Sequence, residues 1–238
     1  MNTRPVAITG TLLSEKCKSR LLSRGFRVLS LPPYEKLGKT VSAHTDLLVF
    51  IIENKIFTYG DYARQSALES LLSDTDYEIA YVSEKAESVY PKDVYLNALT
   101  VGNKIFARLD CLSSDIKIYA EKAGYELVNV KQGYARCTAV PLSDNAVITA
   151  DPSITGAARA NGIDILQISS GNVRLDGYDY GFIGGACGVF EDTVFFAGDL
   201  SLHPDGERID KFCRNHGKEV VSLSDEPLYD VGSIFFIS

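Results

Sequence analysis

The chain has 238 residues, 45% of them hydrophobic and 23% charged, with a formal charge of −7 and a pI near 5.0. This composition suits a globular protein with a substantial core and excludes disorder, while the negative field disfavours nucleic-acid phosphates and anionic lipid as partners. No apolar run approaches the roughly 18 residues of a spanning helix, and the opening Met1-Asn2-Thr3-Arg4-Pro5 lacks the apolar core of a signal peptide, so a cytoplasmic protein is expected.

The first predicted strand is Val6-Ala7-Ile8-Thr9, followed by a helix over 14–24 on which Leu13, Cys17 and Leu21 share a face. Gly25 suits the left-handed end of that helix, and Phe26-Arg27-Val28-Leu29 returns as a strand. Next comes a turn signature, Asn54-Lys55-Ile56-Phe57, that closes a hairpin and opens a strand, with Asp61 seven residues after its Asn. A helix over 63–72 and the strand Asp76-Tyr77-Glu78-Ile79 follow. The signature recurs as Asn103-Lys104-Ile105-Phe106 with Asp110, as Asn145-Ala146-Val147-Ile148 with Asp151, and as Asp192-Thr193-Val194-Phe195 with Asp199. Each Asp, or a Ser near it, is placed to cap the next helix, predicted over 113–123, 153–161 and 206–216. Those helices stop at Gly124, Gly162 and Gly217, and each is followed by another strand, at 125–128, 163–166 and 218–221.

Four signatures at offsets of 49, 42 and 47 residues describe an internal repeat of strand, turn, strand, cap, helix and strand. The chain starts on an outgoing strand with none before it and stops on an incoming strand, Val231 to Ile237, with none after it. Pairing the two completes a fifth unit and removes two sheet edges. We therefore expect one domain over 1–238, with units near 43–92, 93–135, 136–180, 181–229, and 230–238 joined to 1–42.

Five ββαβ units of this size around a pseudo-fivefold axis resemble the pentein fold, an α/β propeller, of the guanidino-group-modifying enzymes. Three strings, Gly133-Tyr134-Ala135-Arg136-Cys137, Phe182-Ile183-Gly184-Gly185-Ala186-Cys187-Gly188 and Leu228-Tyr229-Asp230-Val231-Gly232-Ser233, are also similar to an uncharacterised bacterial family assigned to that fold. The resemblance implies a central channel lined by the incoming strands. For the enzymes it implies a nucleophilic Cys on the last incoming strand, a His from another unit, and carboxylates that grip a guanidinium. This chain departs from that set, with Gly232-Ser233 where the Cys is expected and no His on an incoming strand in mid-chain.

The positions about eight residues before each turn are Asp46, Asn97, Cys137, Gly184-Gly185 and Asp230 to Ser233, and with Arg136 these form the candidate ligand-binding set. Asp46 and Asp230 suit a small cationic or guanidine-like ligand, or else satisfy backbone donors. Arg136 either lowers the Cys137 thiol or binds a carboxylate, or it lies on the surface beside a core Cys. Gly184 and Gly185, read as part of a strand, imply close approach of a ligand or of a neighbouring strand. Cys187 is the candidate nucleophile or a small buried hydrophobe; His203, in the loop after the fourth outgoing strand, is a general base or a turn brace. His44 is placed to reach the channel mouth, and His216 to end a helix. The odd set Cys17, Cys111, Cys137, Cys187 and Cys213 lacks a CxxC pair, and the three His lack metal spacing, so neither disulfides, a metal nor a cofactor is expected. Two functions follow: a Cys-dependent hydrolase or transferase acting on a guanidine or amine compound, or a non-catalytic protein that works through its surface, as ribosome anti-association factors of this fold do.

Overall fold

The computed structural model describes residues 4–238. Strand β1 (Val6–Gly10) leads into α1 (Glu15–Ser23) and returns as β2 (Arg27–Leu31). A one-turn helix, α2 (Thr45–Leu48), precedes β3 (Val49–Ile52) and β4 (Lys55–Tyr59), then come α3 (Gly60–Ser66), α4 (Leu68–Leu71) and β5 (Glu78–Val82). The next unit is β6 (Leu99–Val101), β7 (Lys104–Ala107), α5 (Ser114–Lys122) and β8 (Glu126–Asn129). A second one-turn helix, α6 (Ala135–Thr138), opens β9 (Ala139–Ser143), β10 (Ala146–Thr149), α7 (Pro152–Ala160) and β11 (Asp164–Gln167). The chain closes with β12 (Cys187–Phe190), β13 (Thr193–Phe196), α8 (Gly206–Asn215), β14 (Glu219–Ser222) and β15 (Phe235–Ile237).

These strands form five three-stranded sheets, β15-β1-β2, β3-β4-β5, β6-β7-β8, β9-β10-β11 and β12-β13-β14. In each, the first pair is antiparallel and the second is parallel across a helical connection, which is the strand, hairpin and crossover order expected from the sequence. The two ends of the chain meet, with Val6 opposite Ile237 and Ile8 opposite Phe235. Inner strands of successive sheets adjoin: β12 touches both β15 and β9, and β9 touches β6. The middle strands are the most buried, and apolar helix faces such as Cys17 with Leu21, and Ile209 with Cys213, cover the sheets.

Local chemistry sets the boundaries. Asp151 caps α7, accepting from Ser153 N at 2.8 Å and Ile154 N at 2.9 Å, as expected of its place after the turn. Asp199 does the same for a short 3-10 turn at Leu200–Leu202. Asp110 does not cap; it pairs with Arg108 at 3.0 Å, and Ser113 caps α5 instead. Asp61 lies inside α3 and accepts the Tyr34 hydroxyl at 2.7 Å. The single helix expected over 63–72 is broken in two at Ala67, which takes φ 52°.

The inner strands are shorter than expected at their starts. Asp46, Arg136 and Cys137 sit on the one-turn helices α2 and α6, Asn97 and Ser233 on irregular segments two residues before β6 and β15, and Gly184 and Gly185 on a turn before β12 rather than in a strand. The reason is the polar or glycine character of these segments, which turn the chain inward before the apolar β-formers begin.

Candidate functional site

The segments that turn into the inner strands converge, and their side chains form one buried polar cluster. Cys137 Sγ donates to Asp46 Oδ2 at 2.9 Å, and Ser233 Oγ donates to the same oxygen at 2.6 Å while lying 3.0 Å from Gly184 O. Asn97 is the cross-brace: its Nδ2 reaches Asp46 O at 3.0 Å and Cys137 Sγ at 3.1 Å, and its Oδ1 accepts Arg136 N at 2.7 Å. Asp230 accepts from Phe182 N at 2.8 Å and from Gly232 N at 3.0 Å, and its Oδ1 stands 3.7 Å from His44 Nδ1. The sequence-derived residues Asp46, Asn97, Cys137, Asp230 and Ser233 are thus gathered in one place, Arg136 joins them only through its backbone N while its guanidinium reaches Ala139 O and Gly184 O, and Cys137 is only 2% exposed.

Burial dominates the electrostatics here. It pushes the Asp46 and Asp230 carboxyls up, the latter to about 6, and pushes the His44 imidazole down, so the ring is neutral at pH 7. The Cys137 thiol is pushed well above its usual range, first by burial and then by the charges of Asp46 and Asp230. Two polar atoms of the cluster, His44 Nε2 and Asp46 Oδ1, are buried without a hydrogen-bond partner among the described residues. Ser233 takes φ 69°, a left-handed conformation held by its hydroxyl contacts.

The glycines answer to protein atoms. A Cβ on Gly184 would stand 2.3 Å from Arg136 O, and one on Gly185 would stand 1.9 Å from Asp230 Oδ1. Of the two readings of this pair, the close neighbour is therefore the protein's own chain.

Cys187 begins β12 and is fully buried among apolar residues that include Val140, Ile183 and Cys213; its Sγ lies 3.6 Å from Gly184 O, and burial pushes its thiol up to about 12. His203 is elsewhere. It lines a pocket of about 270 Å³ with Asp151 and Phe182, a lining that does not include Cys187, and its Nδ1 accepts from Asp205 N at 3.0 Å. His216 stands at the end of α8 and pairs with Asp164 at 2.9 Å.

His44, which the sequence places within reach of the channel mouth, stands in the cluster at 2% exposure. Its position two residues before Asp46 on a segment entering an inner strand was the available signal. Among the described residues, His44, Asp46 and Cys137 also bring one nitrogen, one oxygen and one sulfur donor within 4.8 Å of each other. Spacing along the chain showed no such ligand group because Cys137 comes from a different unit, 91 positions from Asp46. That donor set could hold a zinc-type ion, and the thiol and carboxyl are at present bonded to each other instead.

Comparison with known proteins gives the family. A model of the family of unknown function DUF6873 matches residues 8–235, and the chain belongs to that family. No curated protein matches it. Among solved structures it is similar to a DDAH of Pseudomonas aeruginosa complexed with citrulline, at 11% identity over 92% of this chain and 91% of that one, with a TM-score of 0.55. It is likewise similar to an amidinotransferase of Microseira wollei from saxitoxin biosynthesis, at 12% identity over 93% and 89% of the chains with a TM-score of 0.55. The agmatine deiminase of C. jejuni matches at 9% identity over 92% of this chain and 76% of that one, with a TM-score of 0.54. These likenesses establish the fold as the pentein α/β arrangement. No helix of the described residues is long and apolar enough to cross a membrane.

Proposed function

We propose that this DUF6873 member is a cysteine-dependent enzyme that hydrolyses, or transfers a group from, a guanidine compound, with Cys137 as its nucleophile. One observation carries the reading: a thiol, an imidazole and two carboxyls from distant units share a buried site in which His44 Nε2 and Asp46 Oδ1 have no partner. Leaving such groups unsatisfied costs about 1–3 kcal/mol each, a cost that packing alone gives no reason to retain. A guanidinium supplies planar donors for the open oxygen of Asp46, and its positive charge favours the thiolate that burial disfavours.

In this reading Cys137 Sγ bonds to the central guanidinium carbon as its proton passes to Asp46. That proton then moves through the neutral His44 ring, which takes it from Asp46 and hands it to the departing amine, whose bond to that carbon breaks and leaves an amidino group on sulfur. Attack by water then yields a ureido product and restores the thiol; attack by a second amine yields a transferred amidino group. The fold is one that guanidine-modifying enzymes also use, which supports the substrate class without assigning a substrate.

The test is ammonia or amine release from a panel of arginine, agmatine, N-methylated arginines and guanidinoacetate. Turnover of at least one compound that is lost in Cys137→Ser and kept in Cys187→Ser is expected. Turnover kept in Cys137→Ser, or no turnover of any guanidine by folded protein, would remove the reading.

A further inference from the structure

A second site lies on the axis, distinct from the buried thiol cluster. A cavity of about 480 Å³ is walled by residues from all five inner strands, Phe50, Thr100, Pro141, Val189 and Phe235 among them, and Arg136 also lines it. Arg136 is 5% exposed and makes no ion pair among the described residues. Its side-chain hydrogen bonds all leave from Nη1, to Ala139 O at 3.2 Å and Gly184 O at 3.1 Å, and its guanidinium lies 5.2 Å from the centre of the Phe235 ring. Its charge is felt by the Asp230 carboxyl and the Cys187 thiol, yet neither makes a contact ion pair with it, and a buried permanent charge without a contact counter-ion is costly unless an anion reaches it. Thr100, on the same wall, holds a buried hydroxyl that has no partner among the described residues.

We infer that this axial cavity binds a small organic monocarboxylate, its carboxylate on Arg136 and its carbon body against the apolar wall. A fork of guanidinium N–H groups matches a carboxylate in shape and charge. Arg136 is a single cation, and Asp144 at the rim disfavours a dianion, so a carboxylate fits better than a phosphate. The other cation of the lining, Lys218, is engaged by Glu191 O at 2.6 Å and by Asp192 at 3.5 Å. The size of the cavity suits a ligand of several carbons rather than a bare ion.

Isothermal titration of the whole chain with benzoate, its neutral isostere benzamide, and inorganic phosphate reads this directly and does not depend on any thiol chemistry. Benzoate is expected to bind about tenfold or more tightly than benzamide, the margin of a charge-assisted pair, and to outcompete phosphate. Arg136→Gln is expected to erase the preference for benzoate. Val189→Phe, which adds bulk to the β12 wall of the cavity, is expected to weaken benzoate binding about tenfold, and it keeps the test open should Arg136→Gln fail to fold. Equal binding of benzoate and benzamide, binding of phosphate alone, or benzoate affinity unchanged in Val189→Phe would overturn the assignment.

Discussion

Cys137 and Asp46 are 91 positions apart in the chain, and the sulfur of one stands 2.9 Å from the carboxyl oxygen of the other. The contact exists because each lies on a one-turn helix that delivers the chain into an inner strand. It also sets the state of the thiol: the Asp46 charge is the largest contribution after burial to holding Cys137 protonated.

Asp46→Asn should therefore lower the Cys137 thiol pKa, since a neutral amide replaces a charge that opposes the thiolate. The rate of iodoacetamide reaction at Cys137, followed against pH by mass spectrometry, should show its inflection at lower pH than in the unaltered chain. Turnover of a guanidine substrate should fall in the same variant, because the proton acceptor and an anionic oxygen are both gone.

Ser233 combines two effects that separate by substitution. Ser233→Ala removes the 2.6 Å hydrogen bond to Asp46 and leaves that carboxyl less satisfied, at a cost of about 1–3 kcal/mol. Ser233→Gly removes the same bond but relieves the left-handed φ of 69°, worth about 1–2 kcal/mol. Urea denaturation should rank the unaltered chain first, Ser233→Gly second and Ser233→Ala last.

Ala67 holds φ 52° between α3 and α4 and is exposed, so its Cβ gains no packing for the conformation it carries. Ala67→Gly should stabilise the protein by about 1 kcal/mol, read as a higher urea midpoint with an unchanged slope. A drop in stability would mean the break is held by the side chain itself.

Asp205 ties the loop after β11 to the start of α8, accepting from Ser169 N at 2.8 Å and Ser169 Oγ at 2.6 Å and pairing with Arg208. The Ser169 hydroxyl and amide hold its carboxyl down to about 2. A carboxyl depressed in the fold contributes stability above its unfolded pKa of about 4 and loses it as pH falls through about 2. Asp205→Asn should thus be less stable than the unaltered chain at pH 7, with the gap closing between about pH 4 and pH 2 in thermal melts.

Much of the architecture was legible because its signals are local. The turn at Asn103 and the cap at Asp151 each act on atoms within a few residues, and Gly25 and Gly124 take the left-handed φ of 93° and 84° that their places after helices require. Counting back from the turns also reached Asp46, Asn97 and Cys137, because the hairpin fixes how far the inner strand's entry lies from its turn. What local signals could not supply was direction. Cys137 and Cys187 both lie at the entry to an inner strand, yet one thiol bonds to Asp46 and the other belongs to an apolar cluster with its Sγ 3.6 Å from Gly184 O. That difference is a matter of where each inner strand begins, since Cys187 is already the first residue of β12 while Cys137 is two residues short of β9. The break at Ala67 was hidden for a related reason: alanine is a good helix former, and only the packing of α3 and α4 reveals the bend.

The central claim is that Cys137 belongs to a site that takes a guanidine-like cation. Incubation with 2-chloroacetamidine, a thiol reagent carrying a cationic amidine, followed by peptide mapping tests it most directly. Modification concentrated at Cys137, faster than with neutral iodoacetamide and suppressed in Asp46→Asn, is the predicted result. Modification spread evenly over Cys17, Cys111, Cys187 and Cys213, or confined to Cys187, would contradict it.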